Sequence, residues 1–416
     1  MVKTKLKSRQ KTKVKSEQRT STKKTQIKQH PKYYIISECL NPKHSDLLTT
    51  QLRTYLKSYG LVEYMKIKDY DQKLLKRHNL DTNCDKQVQL TKRTKFPAYI
   101  TNQHVDFIWL NPIGKITDKR FYGISANLIN MLNQDRISII DDKAAIYTNM
   151  HTYCPQIAQK HLARTFYIND TKQYNFTNNQ HYILRPVDSF AGRDILYISN
   201  QKELNDAIEY YKTHKNYRGI TYNNNVIASE YIINPLLFNG LKFHMRVYYL
   251  ISYIKGNCST FILNIGDIIH AKEPYTTDKP FTKAIHDTHQ GSSEDYFWPT
   301  DLPTNIKKLY PDIFTQIKTI LKCITQIITN TDIKQKWLYP EHKNGFLVMG
   351  ADFMMDESGT VYLIEVNNKP GYTYNKRENN IKFSKLLFDW INESVVEPYF
   401  LNKPQLAKQH KTYLAG

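Results

Sequence analysis

The chain has 416 residues, of which 59 are Lys or Arg and 38 Asp or Glu, for a formal net charge of +21. That length favours two or three domains with a sizeable core, and the charge points to an anionic partner. The longest apolar run, Val247 to Ile251, is far short of the roughly 20 residues that span a bilayer, so no membrane association is expected.

The excess charge is uneven. Residues 1–30 hold eleven Lys or Arg and a single acid, Glu17, and are too polar to bury a core, so they read as a disordered basic tail. Such an arm suits nucleic acid, an acidic protein tail or a nuclear-import receptor, or it merely solubilises the chain. No apolar segment follows these charges, so a secretory leader is not expected and a soluble intracellular protein is. Cys39, Cys84, Cys154, Cys258 and Cys323 are odd in number, widely spaced and form no CxxC pair. Zinc ribbons and disulfides are therefore not expected, and a reducing compartment is.

Residues 31–140 read as a small N-terminal α/β domain. Its strands are Tyr33 to Ile36, Ala98 to Ile100 and Val105 to Leu110, and a helix is predicted near Asp46 to Ser58. Residues 141–240 form a second unit. Asp141 to Met150 starts a helix with acids in its first turn and Lys143 just behind them. His181 to Pro186 is a strand ending in Arg185-Pro186, followed by the loop Val187 to Asp194, which contains Gly192, and the return strand Ile195 to Ser199. A basic residue beside a glycine loop can hold phosphate, although an ordinary hairpin turn has the same pattern. There is no GxxxxGK[ST] and no GxGxxG, so neither a P-loop nor a dinucleotide fold is indicated. Leu204, Ala207, Ile208 and Tyr211 mark an amphipathic helix from Lys202 to His214, and Val226 to Ile233 reads as a buried strand.

Residues 241–400 form the third unit, with 401–416 as a C-terminal tail. In Lys242 to Ile251, alternation places Lys242, His244 and Arg246 on one face and Phe243, Met245 and Val247 on the other. Three like charges in a row repel unless an anion or carboxylates face them, the alternative being a solvated outer face. Ser259 to Ile265 is a strand, and residues 270–310, with Pro274, Pro280, Pro299 and Pro303, read as a long polar loop. His286 and His289 there are metal-ligand candidates or solvated side chains. Helices are predicted over Asp312 to Thr329 and Ile381 to Val395.

Between those helices lies a hairpin: Phe346 to Met355 and Thr360 to Val366 flank the turn Asp356 to Gly359. Glu365 and Asn367, at i and i+2, share a face, and the partner strand brings Asp352 opposite them. Two carboxylates and an amide oxygen suit Mg²⁺ held together with substrate phosphates. A surface hairpin with solvated acids is the alternative, but Glu365 sits inside the apolar run Val361 to Val366, where an unpaired carboxylate is costly.

In order along residues 95–400, the motifs Glu230-Tyr-Ile-Ile-Asn-Pro-Leu-Leu237, Lys242-Phe-His-Met-Arg-Val-Tyr248, Gly350-Ala-Asp-Phe353 and Ile364-Glu-Val-Asn367 resemble the tubulin-tyrosine-ligase-like family of ATP-grasp ligases. The resemblance implies an α/β (α+β) ATP-grasp fold and Mg²⁺ held by Asp352, Glu365 and Asn367 against the phosphates of ATP. It implies catalytic roles for Glu365 and for Arg246, the latter at the transferring phosphoryl group. Lys143, Arg185 and Gly192 match its phosphate contacts, Ser229, Glu230, Tyr231 and Ile232 its adenine pocket, and Lys242 a nucleotide contact. Here Arg185 replaces the usual lysine, Asp194 a loop glycine, and His244 an aspartate near the ribose, while the Leu-Thr-Asn-Tyr-Ser motif is faint at Ile285 to His289. The implied reaction activates a carboxylate as an acyl phosphate, which the amine of a free amino acid attacks. Its implied acceptor is an acidic protein tail, tubulin above all, with glutamate favoured over tyrosine or glycine. The setting would be cytoplasmic or microtubule-associated, with a nuclear one allowed by the basic tail. The competing expectation is a catalytically impaired relic that binds microtubules or nucleic acid.

Overall fold

Runs of alternating apolar residues become the middle of a large mixed sheet whose strands come from both ends of the chain. The computed structural model describes residues 32–37, 47–63, 104–111, 125–402 and 411–415, except for 178–179, 188, 190–191, 217–218, 220, 223–224, 278–280, 292–295, 331–335, 341, 369 and 371–377. The basic segment 1–30 and the strand expected at Ala98 to Ile100 lie outside the described residues.

The chain opens with β1 (Lys32–Ser37), α1 (Leu47–Ser58), β2 (Val62–Glu63), β3 (His104–Asn111) and β4 (Ser125–Ile129). These four strands are mutually parallel in the order β2-β1-β3-β4. Three helices follow, α2 (Gln134–Asp141), α3 (Lys143–Tyr153) and α4 (Pro155–His161). Asp141 closes α2 and Asp142 caps α3, its carboxylate accepting the Ala144 and Ala145 N–H groups at 2.9 and 2.8 Å. That cap fixes Lys143 at the first position of α3.

A separate four-stranded antiparallel sheet comprises β5 (Thr165–Tyr167), β6 (Tyr182–Pro186), β7 (Leu196–Ile198) and β8 (Val226–Glu230), in the order β5-β8-β6-β7. Helix α5 (Gln201–Thr213) covers one of its faces, burying Leu204, Ala207 and Tyr211 against Tyr182, Leu184, Val226 and Ala228. Alternation leaves Ile183, Arg185, Ile227 and Ser229 on the opposite face. The strand expected to reach Ile233 ends at Glu230, where Tyr231 to Asn234 turn the chain toward Pro235.

The chain then returns to the large sheet through β9 (Leu237–Phe238), β10 (Leu241–Ile254), β11 (Asn257–Leu263) and β12 (Gly266–Pro274). After the one-turn α6 (Lys283–His286) come β13 (Phe297–Trp298), α7 (Thr304–Thr329), the hairpin β14 (Gly345–Met355) and β15 (Val361–Asn368), α8 (Glu378–Ile391), α9 (Glu397–Phe400) and β16 (Lys411–Ala415). Strand β14 pairs with β10 and β15 and, through Gly345 and Ile129, with β4. The N-terminal strands are thus continuous with the C-terminal sheet. The C-terminal segment expected as a tail adds β16 to the edge of β11.

Three further expectations are corrected. The polar, proline-rich 270–310 contains the end of β12, α6 and β13. Helix α7 begins at Thr304 rather than Asp312 and continues through Pro311, which lies on its exposed side. Cys154 and Cys323, 169 residues apart in sequence, form a disulfide between the end of α3 and α7. Sequence spacing carried no sign of that contact, and the cysteine-based case for a reducing compartment loses its basis. Among the described residues no helix is long and apolar enough to cross a membrane.

Helices pack on both faces of the large sheet. Val247, Tyr249 and Ile251 of β10 join a core with α2, α3 and α7, while Tyr248 and Leu250 join Leu52, Leu56, Phe388 and Trp390 from α1 and α8. The face carrying Tyr248 and Leu250 continues in the N-terminal half of β10 as Lys242, His244 and Arg246, and there it meets the small sheet. Within the large sheet, Gly266 permits a close approach of β12 to β10 and β13. A Cβ at that position would come within 2.1 Å of the Arg246 carbonyl and 2.5 Å of Trp298 Nε1, the group that donates to that same carbonyl at 2.8 Å. Gly266→Ala is expected to destabilise the protein by about 2–3 kcal/mol through overpacking. An unchanged urea midpoint would refute that.

Candidate active site

Sheet register builds the centre of the site. Arg246 on β10 lies opposite Asp352 on β14, which lies opposite Glu365 on β15, so three adjacent strands present guanidinium, carboxylate and carboxylate in one row. Asn367, two residues beyond Glu365, projects on the same face. Arg246 grips Asp352 in a bidentate pair, Nε to Oδ1 at 2.9 Å and Nη2 to Oδ2 at 2.8 Å. The Asn367 amide donates to Asp352 Oδ2 at 3.1 Å and to Glu365 Oε1 at 2.9 Å. Lys143 Nζ stands 3.6 Å from Glu365 Oε2 and donates to the Ser189 carbonyl at 2.8 Å. The cap of α3 thereby delivers a cation to the hairpin and to the β6–β7 turn together.

Burial and partners set the charge states. Burial alone would raise Glu365, but Lys143, the Asn367 hydrogen bond, Arg185 and Arg246 outweigh it and hold the carboxyl at about 2. Burial disfavours the Arg246 cation, yet Asp352 more than compensates and the guanidinium is raised. His244 is pushed down to about 3, chiefly by burial, and is neutral. Its Nδ1 shares a 2.7 Å hydrogen bond with Thr288 Oγ1, while its Nε2 is buried without a hydrogen-bond partner, 3.8 Å from Asp352 Oδ2.

A second cluster joins the two sheets. Lys242 Nζ donates to the Tyr231 hydroxyl at 2.8 Å and lies 4.0 Å from the centre of that ring, and the same hydroxyl is 2.7 Å from His286 Nδ1. Burial lowers Lys242 to about 7, with Asp287 opposing. Arg185 crosses from β6 to donate to the Ile364 carbonyl at 3.2 Å and to Ser229 Oγ at 3.1 Å. Ile364 is the extra residue where the β14–β15 register shifts, and such a bulge leaves backbone groups outside the ladder. Glu230 points outward to Arg164 at 3.2 Å, and Ile232 lies in the half-buried turn after β8.

Gly192 has φ +65°, and a Cβ there would come 2.8 Å from Asp287 Oδ2. Lys143, Arg185, Gly192, Ser229, Tyr231, Lys242, His244, Arg246, Asp352, Glu365 and Asn367 therefore lie where the small sheet meets the large one, while Glu230 is directed outward to Arg164 and, among the described residues, Ile232 makes no contact that ties it to them. Sequence reasoning missed Asp287 as a member of the site. Asp287 accepts the His289 N–H at 2.9 Å and sits beside its imidazole, whose ring centre is 5.2 Å from that of His244. His286, offered as a ligand or a solvated group, is buried against Tyr231. An Asp capping a short turn was the only local signal for this segment.

The residues fit a hard cation. One oxygen of Asp352 and one of Glu365 already converge on the electropositive NH₂ of Asn367, where a bridging cation would be welcome, and rotation of that amide presents its oxygen as a third ligand. Among the described residues no three His, Cys, Asp or Glu side chains converge as a metal site; Mg²⁺ is commonly held by one or two carboxylates together with phosphate and water.

A family model described as the tubulin-tyrosine ligase family matches residues 87–404. A probable tubulin–tyrosine ligase of Schizosaccharomyces pombe is 26% identical over 270 residues, 58% of this chain and 64% of that protein. The tubulin polyglutamylase ttll6 of Danio rerio is 24% identical over 234 residues, 50% of this chain and 28% of that protein. The chain thus spans less than two thirds of either relative. Among solved structures, the C-terminal domain of K. lactis Pby1, an ATP-grasp enzyme interacting with the mRNA decapping enzyme Dcp2, superposes with a TM-score of 0.57 at 17% identity, covering 93% of this chain and 99% of that one. The shared fold is ATP-grasp.

Proposed function

The chain belongs to the tubulin-tyrosine ligase family, and from that premise we propose that it is an ATP- and Mg²⁺-dependent ligase joining the amine of a free amino acid to a carboxylate on an acidic protein tail. The observation that carries this reading is the row Arg246–Asp352–Glu365 across β10, β14 and β15, with Asn367 bridging the carboxylates. Asp352, Glu365 and Asn367 would hold Mg²⁺, which supplies charge neutralisation at the phosphates. Arg246 stabilises charge on the transferring phosphoryl group, and Lys143, Arg185 and Lys242 bind and orient the phosphates. Tyr231 and Ser229 line the base. The γ-phosphoryl group of ATP passes to an oxygen of the acceptor carboxylate as the bond to the β-phosphate breaks and ADP leaves. The amine then attacks the resulting acyl phosphate, forming the amide and releasing phosphate and a proton.

Tubulin is the acceptor that the relatives' names favour, and glutamate is the amino acid favoured. The +21 chain would draw an anionic tail in a salt-dependent manner. A cytoplasmic or microtubule-associated setting goes with that acceptor. The reaction class is tested with ¹⁸O in the acceptor carboxylates: one label per phosphate released supports the acyl phosphate, and unlabelled phosphate alongside amide formation rejects it.

Lys242 gives a proton-linked prediction. Its charged form dominates only below about 7, so its attraction for phosphate fades as pH rises through that value. A bound phosphate restores the charge, so roughly one proton should be taken up per ATP bound at pH 8. Calorimetry in buffers of different ionisation enthalpy measures this. Uptake persisting in Lys242→Met would assign the proton elsewhere.

A further inference from the structure

Asp194 ends the turn between β6 and β7 with φ +55°, a left-handed conformation that L-residues adopt at a cost. An aspartate in place of a glycine there needs compensating contacts, and the structure supplies them. The Tyr222 hydroxyl donates to Oδ2, the Tyr210 hydroxyl donates to Oδ1 at 3.3 Å, and His214 Nε2 is 3.4 Å from Oδ1. The Tyr211 hydroxyl donates to the Asp194 backbone carbonyl at 2.6 Å. All four partners come from α5 and the segment just after it, and Tyr211 and Tyr222 belong to the core behind the small sheet. The carboxylate is therefore drawn to the face opposite Arg185 and Ser229, away from the cleft.

Two residues earlier, the same turn reaches the cleft. Gly192 lies against the Asp287 carboxylate, and the Ser189 carbonyl receives Lys143. We propose that Asp194 is a positioning residue, which ties the turn carrying Gly192 to α5 and so sets it at the height that receives the nucleotide phosphates. This rests on the ATP-dependent reading above. It reverses the simpler expectation that an acid beside phosphates repels them: on that view Asp194→Gly improves nucleotide binding, whereas as a positioning residue Asp194→Gly weakens it.

Glycine adopts this backbone conformation without strain, so Asp194→Gly removes the carboxylate contacts while also freeing the backbone, and Tyr222→Phe separates the two effects. The Kd for Mg²⁺ and a non-hydrolysable ATP analogue should rise about tenfold, the order of one charge-assisted hydrogen bond. The KM for ATP should rise with it, while kcat changes less than about twofold. In nucleotide-free protein, trypsin should cut after Arg193 about tenfold faster than in wild type, and Tyr222→Phe, which leaves the Arg193–Asp194 bond itself unaltered, should also be cut faster. Asp194→Asn, which keeps an acceptor for Tyr222, should recover most of the affinity, and Tyr222→Phe should move in the direction of Asp194→Gly by a smaller amount. An Asp194→Gly variant that binds the analogue as tightly as wild type, or more tightly, with unchanged cleavage overturns the proposal. Faster cleavage in the variant with no nucleotide binding by wild type also overturns the nucleotide role, and places the failure in the ATP reading rather than in the anchoring of the turn.

Discussion

Glu365→Gln should abolish ligation, lowering kcat by about a thousandfold or more, while the protein stays folded. Glutamine keeps the shape and can still accept from Asn367, so the lost quantity is one negative charge. That charge is held by Lys143, Asn367, Arg185 and Arg246 against the opposition of burial, an investment that a solvated hairpin acid would not need. Lys143 retains its bond to the Ser189 carbonyl, so the turn keeps one anchor when the charge is removed. Turnover and a thermal melt on the same preparation decide the matter. Full activity in Glu365→Gln would move the metal site elsewhere, and a large loss of melting temperature would make the residue structural instead.

Arg246→Leu should be the most destabilising of these substitutions, by about 3–5 kcal/mol, because it strands a buried carboxylate. Asp352 is 2% exposed and takes both arms of the guanidinium. Of its other basic neighbours, His244 is held neutral by burial, and His289, raised above all by its hydrogen bond to Asp287, is already paired with that carboxylate. The double substitution Arg246→Leu with Asp352→Asn should recover much of the loss, since no lone charge remains buried. Arg246→Lys keeps the charge without the fork and should fall between. Urea unfolding of Arg246→Leu, Asp352→Asn and the double variant measures the coupling. Additive losses in the double variant would show that the pair is not what holds these strands together.

Much of this site was legible because short-range rules set it. The turn Asp356 to Gly359 fixed the hairpin, period-two alternation put Lys242, His244 and Arg246 on one face, and Asp352, Glu365 and Asn367 followed from strand geometry. What stayed hidden depends on partners remote in sequence. That the Asp194 carboxylate faces Tyr210 of α5 and Tyr222 beyond it is decided by which side of the small sheet the helix covers. The pairing of β4 with β14, and of Cys154 with Cys323, joins segments about half the chain apart with no local signature. In 270–310, proline and polarity outweighed the end of β12 and the two-residue β13, whose ladders are set from outside the segment: β12 pairs with β10, and β13 with β12.

The most direct test of the central claim is mass spectrometry of tubulin tails after incubation with the purified protein, Mg²⁺ and ATP, with glutamate, tyrosine and glycine in separate reactions. One amino acid, glutamate by this reading, should be added in an ATP-dependent manner by wild type and not by Glu365→Gln. Unmodified tails in every reaction, with ATP shown to bind, would contradict tubulin as the acceptor; unmodified tails with no ATP binding would contradict the ligase itself.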